Sequence, residues 1–507
     1  MRGNRTAGLG AGLLLWLALL GAAAAFPQLA LRPGGTPFEG PTDAEVTSLW
    51  WNPAAIGSMR GLHLHLSGQL LVNQGSVQRA SICSMTGLPG DCGDRSFPSA
   101  PIDNSGRNLG WGGMAGVTWD FRQENLTIGF GVMMPWEQHR TFSGADTAAA
   151  GSGGLPTAYQ LRSEDFRTLY FAIALAVKLS QKLSIGAGVS VIDTWASMSF
   201  DHDTALDRGS AGVGSAGGFE SPTAAARIRV SGDGGSFWRL VPSPSGLAIS
   251  VGAVVQPVGW LYLGASWSKA FPFNGDNGRF QSARAVDSSV VAAAGQCATY
   301  GGTCPGGAAI TYDIPDVWHL GARMLLPHDV ELSAWGRVVV YGPYNRSNPT
   351  DEAIVIQLSG PAGESAGVPS RIVLARGLQP AVAGELGVRW RPLRPLRLGL
   401  SFIAESSSVA QPYLSAAALD GPKLDGMAAG ELRLGWFRLM VGYELTGFVL
   451  GTVNPGAYSP AYTTGCANND HSLPSCGDAL AGRGQPSNAG TYSLLSHRFS
   501  LALGVDY

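Results

Sequence analysis

Arginines that could bind an anion recur in the C-terminal half of the chain, on faces that we predict to point inward. Each lies within a strand or two of a glutamate, and the set is Arg323, Arg389, Arg397, Arg433 and Arg438. A guanidinium can hold a carboxylate through two parallel hydrogen bonds. The pattern therefore predicts one of two roles: arginine–glutamate pairs that brace an interior, or one or two arginines that bind the head group of an anionic ligand.

The residues give little support for catalysis or for metal binding. A serine hydrolase needs a serine and a histidine oriented by a third group, and the chain has only 8 histidines. Ser496 and His497 are adjacent, so on a strand their side chains point to opposite faces. No CxxC occurs, and no histidine lies at ligand spacing beside a cysteine. We predict no enzyme, no metal site and no cofactor.

The cysteines form three local pairs among Gly, Pro, Ser, Asp and Asn residues. In an exported chain such spacing predicts short disulfide loops, with metal ligation as the alternative. The predicted disulfides are Cys83–Cys92, Cys297–Cys304 and Cys466–Cys476.

The first 25 residues have the parts of a secretory signal peptide. Arg2 and Arg5 form a basic region, an apolar region follows from Leu9 to Leu20, and small residues precede Phe26. A membrane anchor is the alternative, but a spanning helix needs about 20 apolar residues. We expect residues 1–25 to be a signal peptide, and the mature chain to be exported and to start at Phe26.

The composition fits a barrel with a lipid-facing exterior. Charged residues make up only 14% of the chain, glycine is abundant at 71, and the net charge is −2. A soluble domain usually has about a quarter of its residues charged. The charge balance gives no argument for nucleic-acid binding.

Alternation of apolar and polar residues predicts strands along residues 60–507. At the C-terminus Phe499, Leu501 and Leu503 share one face, while Arg498 and Ser500 share the other. Fourteen such segments begin near residues 61, 108, 126, 169, 183, 247, 261, 317, 330, 382, 396, 428, 437 and 497. Short and long connections alternate between them, and all six cysteines fall in long ones. This predicts an all-β, 14-stranded antiparallel transmembrane β-barrel, with a soluble β-sandwich or propeller as the alternative.

Residues 26–59 precede the first strand and lack sustained alternation. Fourteen strands enclose more space than side chains alone fill, so we predict that this segment folds into the lumen as a hatch. Trp50 and Trp51 favour burial. The alternative is a disordered leader.

Several motifs resemble one family of outer-membrane proteins. They are Trp51-Asn52-Pro53-Ala54-Ala55-Ile56-Gly57, the hairpin around Ser180-Gln181-Lys182, Ser266-Trp267-Ser268, and Ile314-Pro315-Asp316-Val317-Trp318. In this order they resemble the FadL family of transporters for long-chain fatty acids and other hydrophobic compounds. The resemblance covers essentially the whole mature chain.

That resemblance implies a 14-stranded barrel, a hatch, ligand capture at the outer loops and sideways release at an inward kink in the third strand. It assigns the hatch motif to Asn52, Pro53 and Ala54. The kink candidates are Gly129, Gly131 and Pro135, because glycine weakens a strand and proline cannot donate to its ladder. The alternative is that Pro135 simply ends the strand. Ligand-binding residues of the family cannot be matched onto the outer loops, which leaves the substrate open.

We therefore predict passive transport of long-chain fatty acids or other hydrophobic compounds across the outer membrane of a Gram-negative bacterium. The expected partners are the hydrophobic compound and membrane lipid, and we expect a monomer. No GxxxxGK[ST] phosphate loop is present to supply energy. The alternatives are a diffusion porin for small polar solutes and a surface-interaction protein built on the outer loops.

Overall fold

The computed structural model of the protein describes most of the chain after residue 31. The described residues are 32–79, 98–105, 108–123, 125–145, 147, 155–203, 225–232, 246–272, 280–281, 286–291, 297–341, 353–364, 368, 370–375, 377–453, 488 and 490–507. The proposed signal peptide and the cysteines Cys83, Cys92, Cys466 and Cys476 lie outside these ranges.

Fourteen long strands form the wall of the molecule. They are β1 (Leu62–Arg79), β2 (Gly110–Trp119), β3 (Leu126–Thr141), β4 (Ser163–Ser180), β5 (Leu183–Asp203), β6 (Gly246–Val258), β7 (Leu261–Pro272), β8 (Asp316–Leu326), β9 (Val330–Val340), β10 (Ala381–Leu393), β11 (Leu396–Glu405), β12 (Lys423–Leu434), β13 (Phe437–Phe448) and β14 (Gly490–Asp506).

Each of these strands pairs antiparallel with the next, and the wall closes on itself. The closing seam joins β14 to β1 from His63↔Asp506 to Arg79↔Gly490. The remaining seams follow the chain order from β1–β2 to β13–β14. The predicted 14-stranded antiparallel barrel is confirmed.

Alternation along each strand separates an apolar exterior from a polar interior. On β14, Phe499 and Leu501 are 49% and 54% exposed, whereas Arg498 and Ser500 are buried. Such a surface of exposed Leu, Val, Ile and Phe is unfavourable in water and suits hydrocarbon. Aromatic side chains are exposed near the short connections; they are Trp119, Phe121, Trp260, Trp390, Trp436 and Tyr507.

A second group of strands continues the wall beyond the outer end of β5. They succeed one another as antiparallel neighbours. The members are Ala225–Gly232, Val286–Val291, Thr303–Tyr312, Ala353–Ser359 and Arg371–Ala375. We call them the outer sheet; the sequence pattern predicts long loops for these residues. Short strands at Ala100–Pro101, Phe280–Gln281 and Thr452–Val453 complete the strands of the described chain.

Helices are few and short in the part of the chain that the structure describes. Two lie in the N-terminal segment, an α-helix Ser48–Trp51 and a 3-10 helix Pro53–Ser58. The others are Ala298–Tyr300, Pro361–Glu364 and Gln411–Tyr413. Among the described residues, none of the helices has the length and apolar character needed to cross a membrane.

Candidate functional site

Residues 32–59 lie inside the barrel, nearer the end with the short connections. Within this N-terminal segment only Ala44, Glu45 and Ser58 are not fully buried. A ring of inward glycines receives it, since a Cβ at any of them would come closer than 3.0 Å to a segment atom. The ring consists of Gly116, Gly129, Gly131, Gly186, Gly252, Gly264, Gly321, Gly399 and Gly442. The wall is therefore shaped around the segment.

Asn52 of the predicted hatch motif joins the segment to itself and to the wall. Its Nδ2 donates to the Pro41 carbonyl at 2.8 Å and to the Ala253 carbonyl of β6 at 3.0 Å. Its Oδ1 accepts the Ala54 amide at 3.1 Å, which caps the 3-10 helix that begins at Pro53. The side-chain amide of Asn52 thus forms hydrogen bonds with three backbone groups at once.

Pro53 and Ala54 dock on β5. The Ser184 hydroxyl donates to the Ala54 carbonyl at 2.7 Å, and the absence of a side chain at Gly186 lets the Pro53–Ala54 backbone approach. Ile56, further along the same helix, reaches Gly129 of β3. The motif is therefore held mainly by β5 and β6 and touches the third strand only at its inner end.

The predicted head-group arginines all lie near the short connections, where they face carboxylates. Arg389 clasps Asp43 of the N-terminal segment through two hydrogen bonds of 2.5 and 2.7 Å. Arg438 donates to Glu45 at 2.7 Å and lies 2.9 Å from Asp506. Both arginines thus have acidic partners, from the segment for Arg389 and from the segment and β14 for Arg438.

The other three arginines complete the same network. Arg397 pairs with Glu331 at 3.0 Å, and Arg323 lies 3.5 Å from Asp43. Arg433 is the most exposed of the set and lies at the rim, 3.4 Å from Glu431. A ligand head group would have to displace these carboxylates, so the arrangement favours bracing at all five positions.

The electrostatics of the segment divide its three carboxylates into two kinds. Burial favours a raised pKa for Asp43 and Glu45, but Arg389 and Arg438 respectively outweigh burial and hold both pKa values below their usual range. Burial dominates at Glu39 and raises its pKa, although Trp51 Nε1 donates to it at 2.9 Å. Asp43 and Glu45 therefore act as ionised anchors.

Aromatic side chains cover the outward surface of the segment. Trp50 meets Tyr170 edge-on at 5.9 Å between ring centroids, and Trp51 packs against His319 and Trp335 at 4.8 and 5.0 Å. A single hydrophobic cluster continues from there to the outer sheet, through Phe166, Tyr312, Ile310, Ile356 and Leu374. The interior between Trp50 and the outer sheet is thus largely apolar.

The wall has a window between β2 and β3. The ladder joining these strands ends at Met114↔Met133, although β3 continues to Thr141 and stays paired with β4. Beyond the window, the Asp103 amide donates to the Thr141 carbonyl at 2.7 Å and closes the outer rim. The window therefore lies between residues 110–113 of β2 and residues 134–140 of β3.

The outer half of β3 bends away from the exterior. Its register against β4 shifts between Met133 and Trp136, so two residues, Met134 and Pro135, face one on β4. After this bulge, Glu137, Gln138, His139 and Arg140 are all buried, with no alternation between two faces. A strand that stayed in the wall would expose every second one to the exterior, so this half of β3 lies inside.

Of the kink candidates, only Pro135 coincides with the register shift. Gly129 and Gly131 stay in register with Ala174 and Ala172 of β4. They accommodate Leu49 of the N-terminal segment, which approaches both positions. Their glycine identity is explained by this contact and not by the bend.

An apolar groove of about 770 Å³ runs along the outer wall beside the inner rim of the window. Small residues of β2 and β3 form its floor, including Ala115, Gly116 and Gly131, and its lining as a whole comes from six strands. The side residues exposed to the exterior include Leu64, Leu66, Phe130 and Ile173. A hydrophobic molecule in the window would meet this groove on the outside.

The remaining predicted residues are not gathered at one site. Ser496 is buried, whereas the His497 ring pairs with the Tyr443 hydroxyl at 2.8 Å, so the two side chains diverge as expected. Cys297 and Cys304 are joined by a disulfide at the edge of the outer sheet, with Cα atoms 5.6 Å apart. Cys297 and Cys304 both lie on the outer side of the molecule.

Sequence reasoning missed the acidic residues of the segment and one buried glutamate of β3. Asp43, Glu45 and Glu39 lie in a stretch without periodicity, and only their number among 28 residues (32–59) hinted at cationic partners. Glu137 lies just after Pro135, and the run of four polar residues from 137 to 140 was the available signal that this half-strand leaves the lipid-facing wall.

Comparison with known proteins finds likeness in structure rather than in sequence. No family model matches the chain, and no curated protein sequence matches it. A FadL homologue of Pseudomonas aeruginosa matches with a TM-score of 0.64 at 12% identity, over 96% of this chain and 99% of the other. The chain has the FadL-type fold. The family resemblance of the motifs is thus confirmed at the level of the fold.

Two other solved structures share the FadL-type fold. The toluene transporter TodX of Pseudomonas putida matches with a TM-score of 0.60 at 11% identity, over 95% of this chain and 99% of the other. The toluene transporter TbuX of Ralstonia pickettii matches with a TM-score of 0.53 at 13% identity, over 94% and 98% of the two chains.

Proposed function

We propose that the protein is a passive outer-membrane channel of a Gram-negative bacterium that takes up uncharged hydrophobic compounds and releases them sideways into the membrane. The observation that carries this proposal is the window between β2 and β3 in an otherwise continuous wall. In this proposal residues 1–25 are the signal peptide, residues 26–59 are the hatch, and residues 60–507 are the barrel, which acts as a monomer.

The buried N-terminal segment supports a hatch and argues against an open pore. Its residues pack against strands all around the wall, and its carboxylates are anchored by Arg389 and Arg438. Polar solutes would need a continuous aqueous path at this level. A hydrophobic molecule needs none, because the exterior surface beside the inner rim of the window is an apolar groove.

Pairing of the buried cations supports an uncharged substrate over a fatty-acid carboxylate. Apart from Arg79, which donates to the Pro156 carbonyl, each buried arginine or lysine of the described chain has a carboxylate within ion-pair distance, so an incoming anion would have to compete with that carboxylate. The pairs deeper in the barrel are Arg32–Glu385, Arg140–Glu164, Arg162–Asp201, Arg337–Glu405, Lys423–Glu405 and Arg498–Glu444.

The apolar cluster between the outer sheet and Trp50 supports entry by partition. Each buried CH₂ contributes about 0.8 kcal/mol, so an aromatic or aliphatic hydrocarbon gains enough to leave water without a charged contact. The toluene transporters among the structural neighbours have this fold, and a monoaromatic hydrocarbon is the first ligand to test.

The test compares uptake of radiolabelled toluene and oleate by cells that lack other hydrophobic-compound channels, with and without this protein. We expect faster toluene uptake and little effect on oleate, together with little ion conductance from the purified protein in planar bilayers. A large steady conductance would support the porin instead. Preferential uptake of oleate would contradict the uncharged substrate.

A further inference from the structure

The edge of β2 that faces the window contains a backbone amide without a strand partner. The ladder to β3 ends at Met114↔Met133, so residues 110–113 of β2 have no partner on β3. The Trp111 amide therefore has no β3 carbonyl opposite it. In a wall surrounded by hydrocarbon, an unsatisfied amide costs several kcal/mol. Some other group must therefore satisfy this amide.

The side chain of Glu137 occupies that place. Its Oε1 accepts the hydrogen bond from the Trp111 amide, and Gly110 beside it leaves room, since a Cβ there would come 2.7 Å from the same oxygen. Glu137 is 3% exposed, and its Oε2 has no hydrogen-bond partner among the described residues. The Glu137 side chain therefore spans the window between β2 and β3 where a backbone ladder is missing; farther out, Asn73 Nδ2 of β1 donates to the His139 carbonyl of β3 at 3.4 Å.

A closure of this kind is easily reversible. Strands joined by a ladder separate only when several backbone bonds break together, whereas one carboxylate can leave by rotating about its own side-chain bonds. The backbone of β3 does not need to move for this, because its outer half is held on the interior side by Arg140–Glu164 at 2.8 Å and by pairing with β4.

We propose that Glu137 is the latch of the lateral window, closing it by its hydrogen bond to the Trp111 amide and opening it by rotating away. The inference rests on the proposed sideways release for its role in transport. The latch itself is a claim about one hydrogen bond and can be tested without transport.

The first test measures amide hydrogen exchange of purified protein by mass spectrometry over the peptide that contains residues 110–113. In Glu137→Ala we expect exchange at Trp111 to be about tenfold faster, because one hydrogen bond to its amide is lost. Glu137→Gln keeps an acceptor oxygen, so its exchange rate at Trp111 should stay near that of the wild type. The peptide from β1, residues 62–71, is the internal control. Unchanged exchange in Glu137→Ala would overturn the latch.

The second test replaces the latch by a covalent one. Gly110→Cys combined with Glu137→Cys puts one thiol on each side of the window, at the two positions that the Glu137 side chain now connects, and non-reducing mass spectrometry first establishes that the disulfide has formed. We expect the oxidised double variant to lose toluene uptake and to regain it on reduction, with each single variant and the wild type as controls under the same reductant.

The two tests fail independently. Full oxidation without loss of uptake, alongside the expected exchange result, would retain the latch and reject sideways release through this window. Loss of uptake on oxidation together with unchanged exchange in Glu137→Ala would retain the exit and reject Glu137 as its closure.

Discussion

Asp43 shows how one residue fixes the N-terminal segment in the barrel. Its carboxylate is buried and forms a bidentate pair with Arg389. Removing one partner of a buried pair typically costs 3–5 kcal/mol, because the other charge is left uncompensated. The segment therefore depends on this contact more than on any exposed ion pair of the rim.

The lowered pKa of Asp43 predicts a pH dependence of the segment. Because that pKa is depressed in the folded state, the stabilisation is complete above the unfolded value of about 3.9 and is lost as the pH falls through the folded value. We expect bilayer conductance to stay low at neutral pH and to rise only below about pH 4.

Asp43→Asn should raise the conductance already at pH 7 and weaken its acid dependence, since the ionised partner of Arg389 is gone. The control is Asp329→Asn in the exposed β8–β9 turn, which should behave as the wild type. Equal conductance of Asp43→Asn and the wild type at pH 7 would show that the pair does not hold the segment.

Asn52 makes a second prediction at the residue scale. Asn52→Ala would remove the side-chain donor to the carbonyls of Pro41 and Ala253, at about 1–3 kcal/mol for a buried group left unsatisfied. We expect a lower melting temperature by circular dichroism and slower toluene uptake. Asn125→Ala, in the exposed β2–β3 turn, provides the matched control. An unchanged melting temperature would argue against this role.

At the scale of elements, β3 is one strand with two environments. Its inner half alternates and pairs on both sides, while its outer half is polar and buried and forms a continuous ladder only with β4. The bulge at Met134 and Pro135 separates the two halves, and proline suits it because it has no amide to donate. The window is thus a consequence of one extra residue.

Deleting Pro135 should restore one-to-one register between β3 and β4. The outer half would then return to the wall and extend its ladder with β2, closing the window. We expect the variant to remain a heat-modifiable barrel on unboiled gels but to lose toluene uptake. Undiminished uptake by the folded deletion variant would mean that the molecule leaves by another route.

At the scale of the whole molecule, barrel and segment are complementary parts. The wall alone is closed by the long β14–β1 seam and needs no other element for its backbone hydrogen bonds. The segment fills the lumen and pairs with inner charges. The barrel should therefore fold without the segment, but it should no longer be closed to solutes.

Deletion of residues 32–57 should convert the protein into an open pore. We expect a folded, strand-rich barrel with a lowered melting temperature, because Arg389 and Arg438 lose their segment partners, and with a large steady conductance and permeability to small sugars. Liposome swelling measures the latter, with the full-length protein as control. A deletion variant that stays closed to sugars would show that other parts block the lumen.

The sequence by itself determined the barrel. Strand direction, the inner and outer faces and the number of strands are encoded by period-two alternation, which is local and needs no knowledge of partners, as in Phe499, Leu501 and Leu503 of β14. Only the tertiary structure decided the pairing of Asp43 with Arg389, the contact of Leu49 with Gly129 and Gly131, the outer sheet and the position of Glu137 at the Trp111 amide. These contacts join residues far apart in the chain or on strands whose regular pairing is broken, and no local pattern of polarity specifies which distant group satisfies a buried charge or a free amide.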